Sequence, residues 1–514
     1  MTVLRSAGLD PLLLLALVLA LALSIAFSGG PYGSDDTVYL ARAIEVARGE
    51  FNSSNYNGAL RFGFNIPAGV FLQLFGIFYG AAILLPLLAG LSEIVLIYAF
   101  AARALNRRTG VMAAFLLAFA PLLVLQRSVI HADAVVSAAI TATFVAFWFA
   151  EERRSRSLSF AAGLAAGYVF WVKEAAIVFL VVFLIYPFLV GRWEKRWWWA
   201  VAGGSVMLFL HFILMWFISG NPFHGVSIYL EHAATSFVGR TATSGPFYYF
   251  RYLLLDGRHS ALIGPLALLG IVFWWRGKTA RGPRDGQGYA LFWALGLLAV
   301  FSFLPISFAP LQFIYKQSNY LNLFIPSLSL LAAIGLDNLG KRWRMLLLSG
   351  ALLSGLVLGA LEQQAYRVFA ANSKAVAQFA QDHPRALIYG TANNENIAAM
   401  MSLLRTGEAA RQVRWLKEMG LSTPEVDVLY AVLDRETQAW GNNPVVLDQP
   451  PACWREIKTL EPIGFGLGRY VAAALARLPY IGAPFAKLLA PAPAMLYEVP
   501  KDRPWCGAYP YPLE

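Results

Sequence analysis

The chain has 514 residues, of which 58% are hydrophobic and only 14% are charged, and its mean hydropathy is +0.56. This composition excludes a soluble multidomain protein and indicates a polytopic membrane protein. The formal net charge of +11 does not indicate nucleic-acid binding, because the basic residues lie in short clusters between apolar runs, where membrane topology places them.

Apolar segments long enough to cross a bilayer recur along the first two thirds of the chain. They predict about eleven transmembrane helices, with about thirteen as the upper figure. The first segment resembles a signal peptide, but it is long, it is not followed by a clear small-x-small cleavage site, and many further spans come after it, so we predict an uncleaved anchor. The segments are 10–28, 81–103, 110–126, 133–150, 158–172, 175–191, 198–218, 259–275, 289–308, 320–336 and 345–362.

Basic loops predict the orientation of these spans. Five loops, together with Arg5, carry 17 of the 41 Lys and Arg residues and are expected to be cytoplasmic. Because Arg5 and the first basic loop are both expected to be cytoplasmic, an even number of crossings separates them. The spans 10–28 and 81–103 are these two crossings, so the apolar stretch 64–80 is predicted to be an interfacial or re-entrant helix. The basic loops are 103–109, 151–157, 192–197, 276–288 and 337–344. The loops predicted to be external are 29–63, 127–132, the turn 173–174, 219–258, 309–319 and everything after about 362.

The last part of the chain changes character. Strand-like runs at 386–390, 426–433 and 494–499, with helical patterns near 373–381, 396–405 and 468–490, predict a small α/β domain outside the membrane. We therefore predict two domains: a transmembrane domain over 1–362, which includes the first external loop, and a soluble periplasmic domain over 363–514. Cys453 and Cys506 both lie in this second domain, where an oxidising periplasm allows a disulfide; two unrelated buried thiols are the alternative.

The first external loop contains two adjacent aspartates, Asp35 and Asp36, in the stretch "SDDTVYLARA". Apolar residues at helical spacing from Val38 onward predict a surface helix. The aspartates could cap this helix, since carboxylates in a first turn are favoured by the helix dipole. A cap needs only one such residue, however, so the second hypothesis is that a carboxylate here contacts a lipid-borne substrate. Tyr39 lies one helical turn further along.

Further ionisable residues lie at predicted span ends and in external loops, where they are functional candidates and where snorkelling is the alternative. His131 and Asp133 stand at the junction of two spans, and Lys173 and Glu174 at the tip of a tight hairpin. Gly163, Gly167 and the intramembrane His211 are better explained by helix packing. No phosphate-binding loop with its lysine, no metalloprotease helix and no nucleophile elbow is present, and "GFGLG" at 464–468 lacks the full dinucleotide spacing. The other external candidates are Arg61, Arg251, Arg258 and Lys316.

Several stretches, taken in order, resemble the GT-C glycosyltransferases, most of all the aminoarabinose transferases and the protein O-mannosyltransferases. The resemblance covers about residues 10–340. It implies an all-α polytopic membrane protein of the GT-C fold, to which the predicted α/β domain is appended. The stretches are "SDDTVYLARA", "RFGFNIPAGVFLQLFG", "LIYAFAARALNRRTGVMAAFLLAFAPL", "IHADAVVSAA", "GLAAGYVFWVKEAA" and "YLNLFIPSLSLLAAIGL".

The resemblance also implies roles for residues. Asp35 matches the essential acid of the family's first external loop and is expected to be the base, while Asp36 and Asp133 match further acidic positions. The family's lysine before its "PIAG"-like stretch is replaced by Phe64 and Asn65 here. Phosphate binding is therefore assigned to Arg61, Lys173 and Lys316. The expected substrate contacts are Tyr39, His131, Glu174 and Arg251.

The implied reaction is transfer of a hexosyl or pentosyl group from a polyprenyl-phosphate donor to a lipid, glycan or protein acceptor. It takes place on the periplasmic side of the bacterial inner membrane, without nucleotides and with inversion at the anomeric carbon. Asp36 or Asp133 would either orient the acceptor or hold a divalent cation, Mg²⁺ or Mn²⁺, and no other cofactor is implied. Two alternatives stay open. A polyprenyl-lipid or solute transporter usually shows related halves, and none is visible here; a surface polysaccharide polymerase or ligase usually centres on a larger external loop.

Overall fold

The structure is a computed structural model, and it describes residues 10–236, 245–277, 282–309, 311–421, 426–438, 447–466, 468–477, 486 and 489–507. Arg5, parts of the loops 219–258 and 276–288, and much of the predicted helix 468–490 lie outside the described residues. The chain forms two compact units. The first comprises 1–28, 48–71 and 83–362, and the second comprises 29–47, 72–82 and 363–514. The second unit thus includes residues 29–47, which the sequence analysis placed in the transmembrane domain.

Helices account for most of the described chain. Short 3₁₀ segments at Glu174–Phe179 and Ser318–Leu323 lead into two of the α-helices. The α-helices are α1 Pro11–Phe27, α2 Asp35–Ala47, α3 Phe62–Phe75, α4 Tyr79–Ala82, α5 Leu84–Ala104, α6 Arg107–Ala118, α7 Pro121–Gln126, α8 Asp133–Arg153, α9 Arg156–Val172, α10 Leu180–Val190, α11 Trp197–Ser219, α12 His224–Ser236, α13 Tyr248–Arg251, α14 Ile263–Arg276, α15 Gly286–Phe303, α16 Ile325–Asp337, α17 Lys341–Asp382, α18 Ala392–Thr406, α19 Arg435–Gln438 and α20 Gly468–Leu475.

Each predicted span contains a helix, which confirms the helical membrane-protein prediction. Among the described residues, α5, α8, α11, α15 and α17 are long and apolar enough to cross a bilayer, and α1, α3, Glu174–Val190, α14 and α16 are shorter apolar helices.

Three boundaries differ from the prediction. The segment 110–126 is two helices, because Pro121 has no N–H to continue α6 and instead starts α7. The segment 289–308 leaves the helix before Pro305, which disfavours helical backbone at the residue before it. Pro305–Phe308 is strand β1, antiparallel to β2 at Leu311–Phe313. The segment 345–362 belongs to the longer helix α17.

Close packing of α9 against α11 depends on glycine, as predicted for Gly163 and Gly167. A Cβ atom on Gly163 would lie 1.9 Å from the carbonyl oxygen of Ala200, and one on Gly167 would lie 2.5 Å from Cβ of Met207. On the facing helix, a Cβ atom on Gly203 would lie 2.2 Å from the carbonyl oxygen of Phe160. The two backbones therefore approach closely, as small-residue interfaces allow in membranes.

We expect Gly163→Val to destabilise the first unit, which we call the membrane unit, by about 3 kcal/mol, because the added side chain overlaps backbone that cannot move aside. The measurement is the free energy of unfolding of the detergent-solubilised protein. Gly204→Ala is the control, since its Cβ atom would lie at an ordinary 3.5 Å from the carbonyl oxygen of Gly163. Equal stability of the two variants would contradict the close approach.

The second unit contains a five-stranded mixed sheet, in the order β4-β3-β5-β7-β6. Strand β3 is parallel to β4 and β5, whereas β7 is antiparallel to β5 and β6. The predicted strands are present as β3, β5 and β7. The sequence analysis missed β4, which has three residues, and β6, whose side chains are mostly exposed and so show no apolar alternation. The strands are β3 Ala386–Gly390, β4 Val413–Trp415, β5 Val428–Leu433, β6 Arg455–Leu460 and β7 Ala494–Glu498.

The core of the second unit lies on both faces of this sheet. Every residue of β3 is buried, and apolar side chains of α17 and α18 pack on one face. The other face contacts an aromatic group that includes Trp454 and Trp505. Cys453 and Cys506 form the predicted disulfide beside these tryptophans, with their Cα atoms 5.5 Å apart.

Candidate active site

A buried ion pair joins the start of α8 to the end of α9 in the first unit. Asp133 is the first residue of α8 and Lys173 directly follows α9. The ammonium Nζ of Lys173 donates to Oδ1 of Asp133 at 2.6 Å, and both side chains are almost completely buried. The sequence analysis named these two residues separately, and the structure brings them into contact.

The other carboxylate oxygen of Asp133 has two more neighbours. The amide Nδ2 of Asn319 donates to Oδ2 at 2.7 Å, and Nδ1 of His131 lies 2.9 Å from the same oxygen. The N-terminal position of Asp133 on α8 adds favourable interaction with the helix dipole. The carboxylate is therefore held as an anion by several independent groups.

A second pair of opposite charges lies beside the first. Arg61 follows a 3₁₀ turn immediately before α3, and its Nε is 3.6 Å from Oε2 of Glu174. Nζ of Lys173 lies 4.6 Å from the ring centroid of Tyr320, at a distance typical of a cation–π contact. We call Arg61, His131, Asp133, Lys173, Glu174, Asn319 and Tyr320 the charged cluster.

Lys316 lies in the same predicted external loop as Asn319. Its side chain is buried, and its Nζ donates to the carbonyl oxygen of Ile314 at 3.1 Å. Burial lowers the pKa of Lys316, since it disfavours the charged form. Because burying a charge without compensation is costly, such cations are expected where a site needs positive charge.

The remaining predicted acids lie in the second unit. Asp35 begins α2, where the predicted surface helix is found, and its side chain is partly exposed. Asp36 is 1% exposed, and its carboxylate accepts the backbone N–H groups of Ser34, Tyr32 and Gly33 at 2.6, 3.0 and 3.3 Å. Asp36 thus binds the turn that precedes α2, which favours a structural role.

Two residues predicted to contact substrate, Tyr39 and Arg251, have not been placed in the charged cluster. Tyr39 is fully buried, which favours packing over contact with a substrate. Arg251 ends α13 with an exposed side chain. The structure thus brings His131, Asp133, Lys173 and the Arg61–Glu174 pair into one cluster of the first unit.

Comparison with known proteins identifies the fold. Residues 65–216 match the family model described as dolichyl-phosphate-mannose-protein mannosyltransferase. The crystal structure of ArnT from Cupriavidus metallidurans bound to undecaprenyl phosphate aligns with a TM-score of 0.56 and 17% identity, over 84% of this chain and 94% of that chain. The oligosaccharyltransferase AglB from Archaeoglobus fulgidus, in complex with an inhibitory peptide and a dolichol-phosphate, aligns with a TM-score of 0.52 and 12% identity, over 82% of this chain and 69% of that chain. No match was found among curated proteins.

This chain has the GT-C glycosyltransferase fold. The predicted fold, a helical membrane body with a small sheet region near the C-terminus, is confirmed. Within the GT-C fold, the matched stretch 65–216 contains His131, Asp133, Lys173 and Glu174, and it does not contain Asp35, Arg61 or Lys316.

The GT-C fold raises the question of a divalent cation, which prefers several oxygen ligands. Both oxygens of Asp133 already contact nitrogen atoms, and one of these is the cation of Lys173. No group of three or more His, Cys, Asp or Glu side chains that could hold a metal is found in the described part of the chain. The surroundings of Asp133 therefore do not fit a divalent cation, and we assign no step to one.

Two neutral residues of the charged cluster, and the buried acid Glu93, were not predicted from the sequence. Asn319 and Tyr320 carry no charge, so nothing in their pattern marked them. Glu93 lies inside α5, where its Oε1 accepts the hydroxyl groups of Ser137 and Thr141 at 2.7 and 2.9 Å. Oγ of Ser137, one turn after Asp133 in α8, is also 2.8 Å from the carbonyl oxygen of Asn322. These bonds link α5 and α8 to the 3₁₀ segment that carries Asn319 and Tyr320.

Proposed function

We propose that the protein transfers a sugar from a polyprenyl-phosphate donor to a lipid, glycan or protein acceptor on the periplasmic side of the bacterial inner membrane. The observation that carries the proposal is the charged cluster, a set of buried cations and acids in a membrane body of the GT-C fold. Removing so many charges from water costs free energy. Replacing buried ion pairs by apolar residues is often neutral for stability or increases it. A functional requirement for these charges is therefore the better explanation.

The relatives supply the class of donor. ArnT was crystallised with undecaprenyl phosphate and AglB with a dolichol-phosphate. Both lipids combine a long isoprenoid tail with a phosphate group. A phosphate needs charge-assisted hydrogen bonds, and buried lysine and arginine side chains provide them. We assign this role to Arg61, Lys173 and Lys316.

The proposed chemistry is a single displacement. Asp35 takes the proton of the acceptor hydroxyl while that oxygen attacks the anomeric carbon of the donor sugar. The bond between this carbon and the phosphate oxygen breaks, and the electron pair leaves with the polyprenyl phosphate. The configuration at the anomeric carbon inverts because attack comes from the face opposite the leaving group.

Lys173 can serve the leaving group while it stays paired with Asp133. An ammonium group has three N–H donors, and the contact with Asp133 uses one of them. Asp133 then fixes the position of the ammonium group, while another N–H meets the phosphate. Glu174 would position Arg61 through the ion pair between them, in which Nε and Oε2 are 3.6 Å apart. We propose His131 and Glu174 as additional contacts to sugar or acceptor, since both lie in the charged cluster.

The function is tested in liposomes that contain the purified protein and no nucleotide. A panel of radiolabelled polyprenyl-phosphate sugars is added with a periplasmic acceptor extract, and label transferred to the acceptor is counted. We expect one or more donors to support transfer. Movement of intact donor across the bilayer without a glycosylated product would favour the transporter alternative.

Lys173→Met is expected to raise the KM for the donor by about 10- to 100-fold, since a hydrogen bond to a charged group contributes roughly 1.5–3 kcal/mol. Steady-state transfer at varied donor concentration measures this change. Lys195→Met is the control, because Lys195 is exposed in a predicted cytoplasmic loop. An unchanged donor KM in Lys173→Met would remove Lys173 from the phosphate site.

A further inference from the structure

The turn that leads to Asp35 is held by side chains of the stretch 363–514 of the second unit, which we call the α/β unit. We call residues 29–36 the acid loop. Nδ2 of Asn393, in the first turn of α18, donates to the carbonyl oxygens of Tyr32 and Gly33 at 2.7 and 2.9 Å. Nζ of Lys374 donates to the carbonyl oxygen of Gly29 at 2.7 Å. All of these residues belong to the second unit.

The peptides of the acid loop are bound through their amides as well as their carbonyls. Asp36 accepts the N–H groups of Tyr32 and Gly33, the same residues whose carbonyl oxygens Asn393 binds. Gly33 has a φ of +77°, and a Cβ atom there would lie 2.6 Å from Ile397 and 2.7 Å from Nδ2 of Asn393. Only glycine meets both conditions, so the conformation of the acid loop seen here requires glycine at position 33.

A chain of buried hydrogen bonds fixes the orientation of Asn393. Oγ of Ser373 donates to Oδ1 of Asn393 at 2.7 Å, which leaves Nδ2 to face the acid loop. Nδ2 of Asn394 lies 2.8 Å from the same hydroxyl and 3.0 Å from Oδ2 of Asp434. Asp434 is completely buried and directly follows β5. These hydrogen bonds therefore connect the end of the sheet to the backbone of the acid loop.

This chain of hydrogen bonds lies at the edge of the sheet where open α/β sheets bind ligands. Asn393 and Asn394 follow β3, and Asp434 follows the adjacent parallel strand β5. Open α/β sheets bind ligands in the crevice outside the carboxyl ends of such strands. Here the polar groups beyond these strand ends bind the backbone of the chain's own acid loop.

We propose that the α/β unit positions Asp35, and that Asn393 is the positioning residue through which it acts. Asp35 is adjacent to Asp36, so any rearrangement of the turn over residues 32–34 moves its carboxylate. This inference rests on the proposed function, in which Asp35 is the base. It gives the α/β unit a role in catalysis without any contact of Asn393 with substrate.

Asn372 provides a matched control. Like Asn393 it is completely buried, and its Nδ2 donates to Oδ1 of Asp434 and to the carbonyl oxygen of Ala492, both at 2.8 Å. Its described hydrogen bonds stay inside the α/β unit and do not reach the acid loop. Asn372 contacts Oδ1 of Asp434, whereas Asn394 contacts Oδ2, so Asn372→Ala should weaken the α/β unit without releasing residues 29–36.

The first readout is independent of sugar transfer. Amide hydrogen exchange of the peptide containing residues 32–34 is measured in the intact, detergent-solubilised protein. We expect Asn393→Ala to accelerate this exchange about tenfold or more, because two hydrogen bonds to the loop are lost. Asn393→Asp, which keeps the shape and replaces the donor by an acceptor, should do the same. Exchange equal to wild type in both variants, or an equal increase in Asn372→Ala, would overturn the inference.

The second readout is the split between kcat and KM. Asn393→Ala is expected to lower kcat for transfer about tenfold or more while leaving the donor KM unchanged, because the acid is displaced and the phosphate site is not. Asn372→Ala should keep the wild-type kcat per folded molecule. Faster exchange with wild-type kcat would contradict the role of Asp35 as base and leave the docking of the loop established. Unchanged exchange with lowered kcat would overturn the positioning role of Asn393.

Discussion

Asp35→Asn is expected to lower kcat for sugar transfer by about a thousandfold, within the 10²–10⁴-fold range of a lost general base. The amide keeps the size of the side chain and its partly exposed place at the start of α2 but has no lone pair basic enough to take the acceptor proton. The dissociation constant of the donor should stay near the wild-type value. Single-turnover transfer and binding of labelled polyprenyl-phosphate sugar measure the two quantities.

Glu50→Gln is the matched control for this substitution. Glu50 is an exposed carboxylate three residues after the end of α2, in the same predicted external loop. The Glu50→Gln variant should transfer sugar at the wild-type rate. Transfer by Asp35→Asn within a few fold of wild type would mean that another group accepts the proton, and the proposed mechanism would then be wrong.

Asp133→Ala is expected to destabilise the membrane unit by about 3–5 kcal/mol, because it leaves the buried ammonium of Lys173 without its carboxylate. The free energy of unfolding of the detergent-solubilised protein measures this loss. Transfer should fall as well, since Lys173 is no longer fixed and Asn319 also loses its acceptor. The single variant alone cannot separate these two effects.

The double variant Asp133→Leu/Lys173→Met separates stability from function. It replaces the ion pair by apolar side chains of similar size, so most of the lost stability should return. Transfer should stay low, with the donor KM raised as in Lys173→Met, because the proposed phosphate ligand is missing. A stable double variant that transfers sugar at the wild-type rate would show that the Asp133–Lys173 pair is only structural.

Much of the fold was predictable, because long apolar runs leave few alternatives to helices in a membrane. The parts that could not be predicted depend on backbone chemistry or exposure. The break before Pro121 follows from a missing N–H group, and the mostly exposed strand β6 has no apolar alternation to mark it. The inclusion of residues 29–47 in the second unit depends on hydrogen bonds between distant stretches of chain, such as Asn393 with Tyr32.

The candidate site was predictable where charge marked it. Asp133 and Lys173 are ionisable residues at helix ends, and the pattern singled out both. Asn319 and Tyr320 were missed because a neutral side chain at the edge of a predicted span carries no such mark. Asp36 illustrates the opposite limit, since the doublet with Asp35 predicted two functional acids, whereas its carboxylate binds three backbone amides of the preceding turn.

The proposed function requires that the sugar leaves a polyprenyl monophosphate carrier, and the lipid product of the reaction shows whether it does. Purified protein in nucleotide-free liposomes is given one accepted donor and its acceptor, and the lipids are analysed by mass spectrometry after a single turnover. We expect one polyprenyl monophosphate to be released for each sugar attached to the acceptor. Glycosylated acceptor without polyprenyl monophosphate, or donor consumed without any glycosylated acceptor, would contradict it.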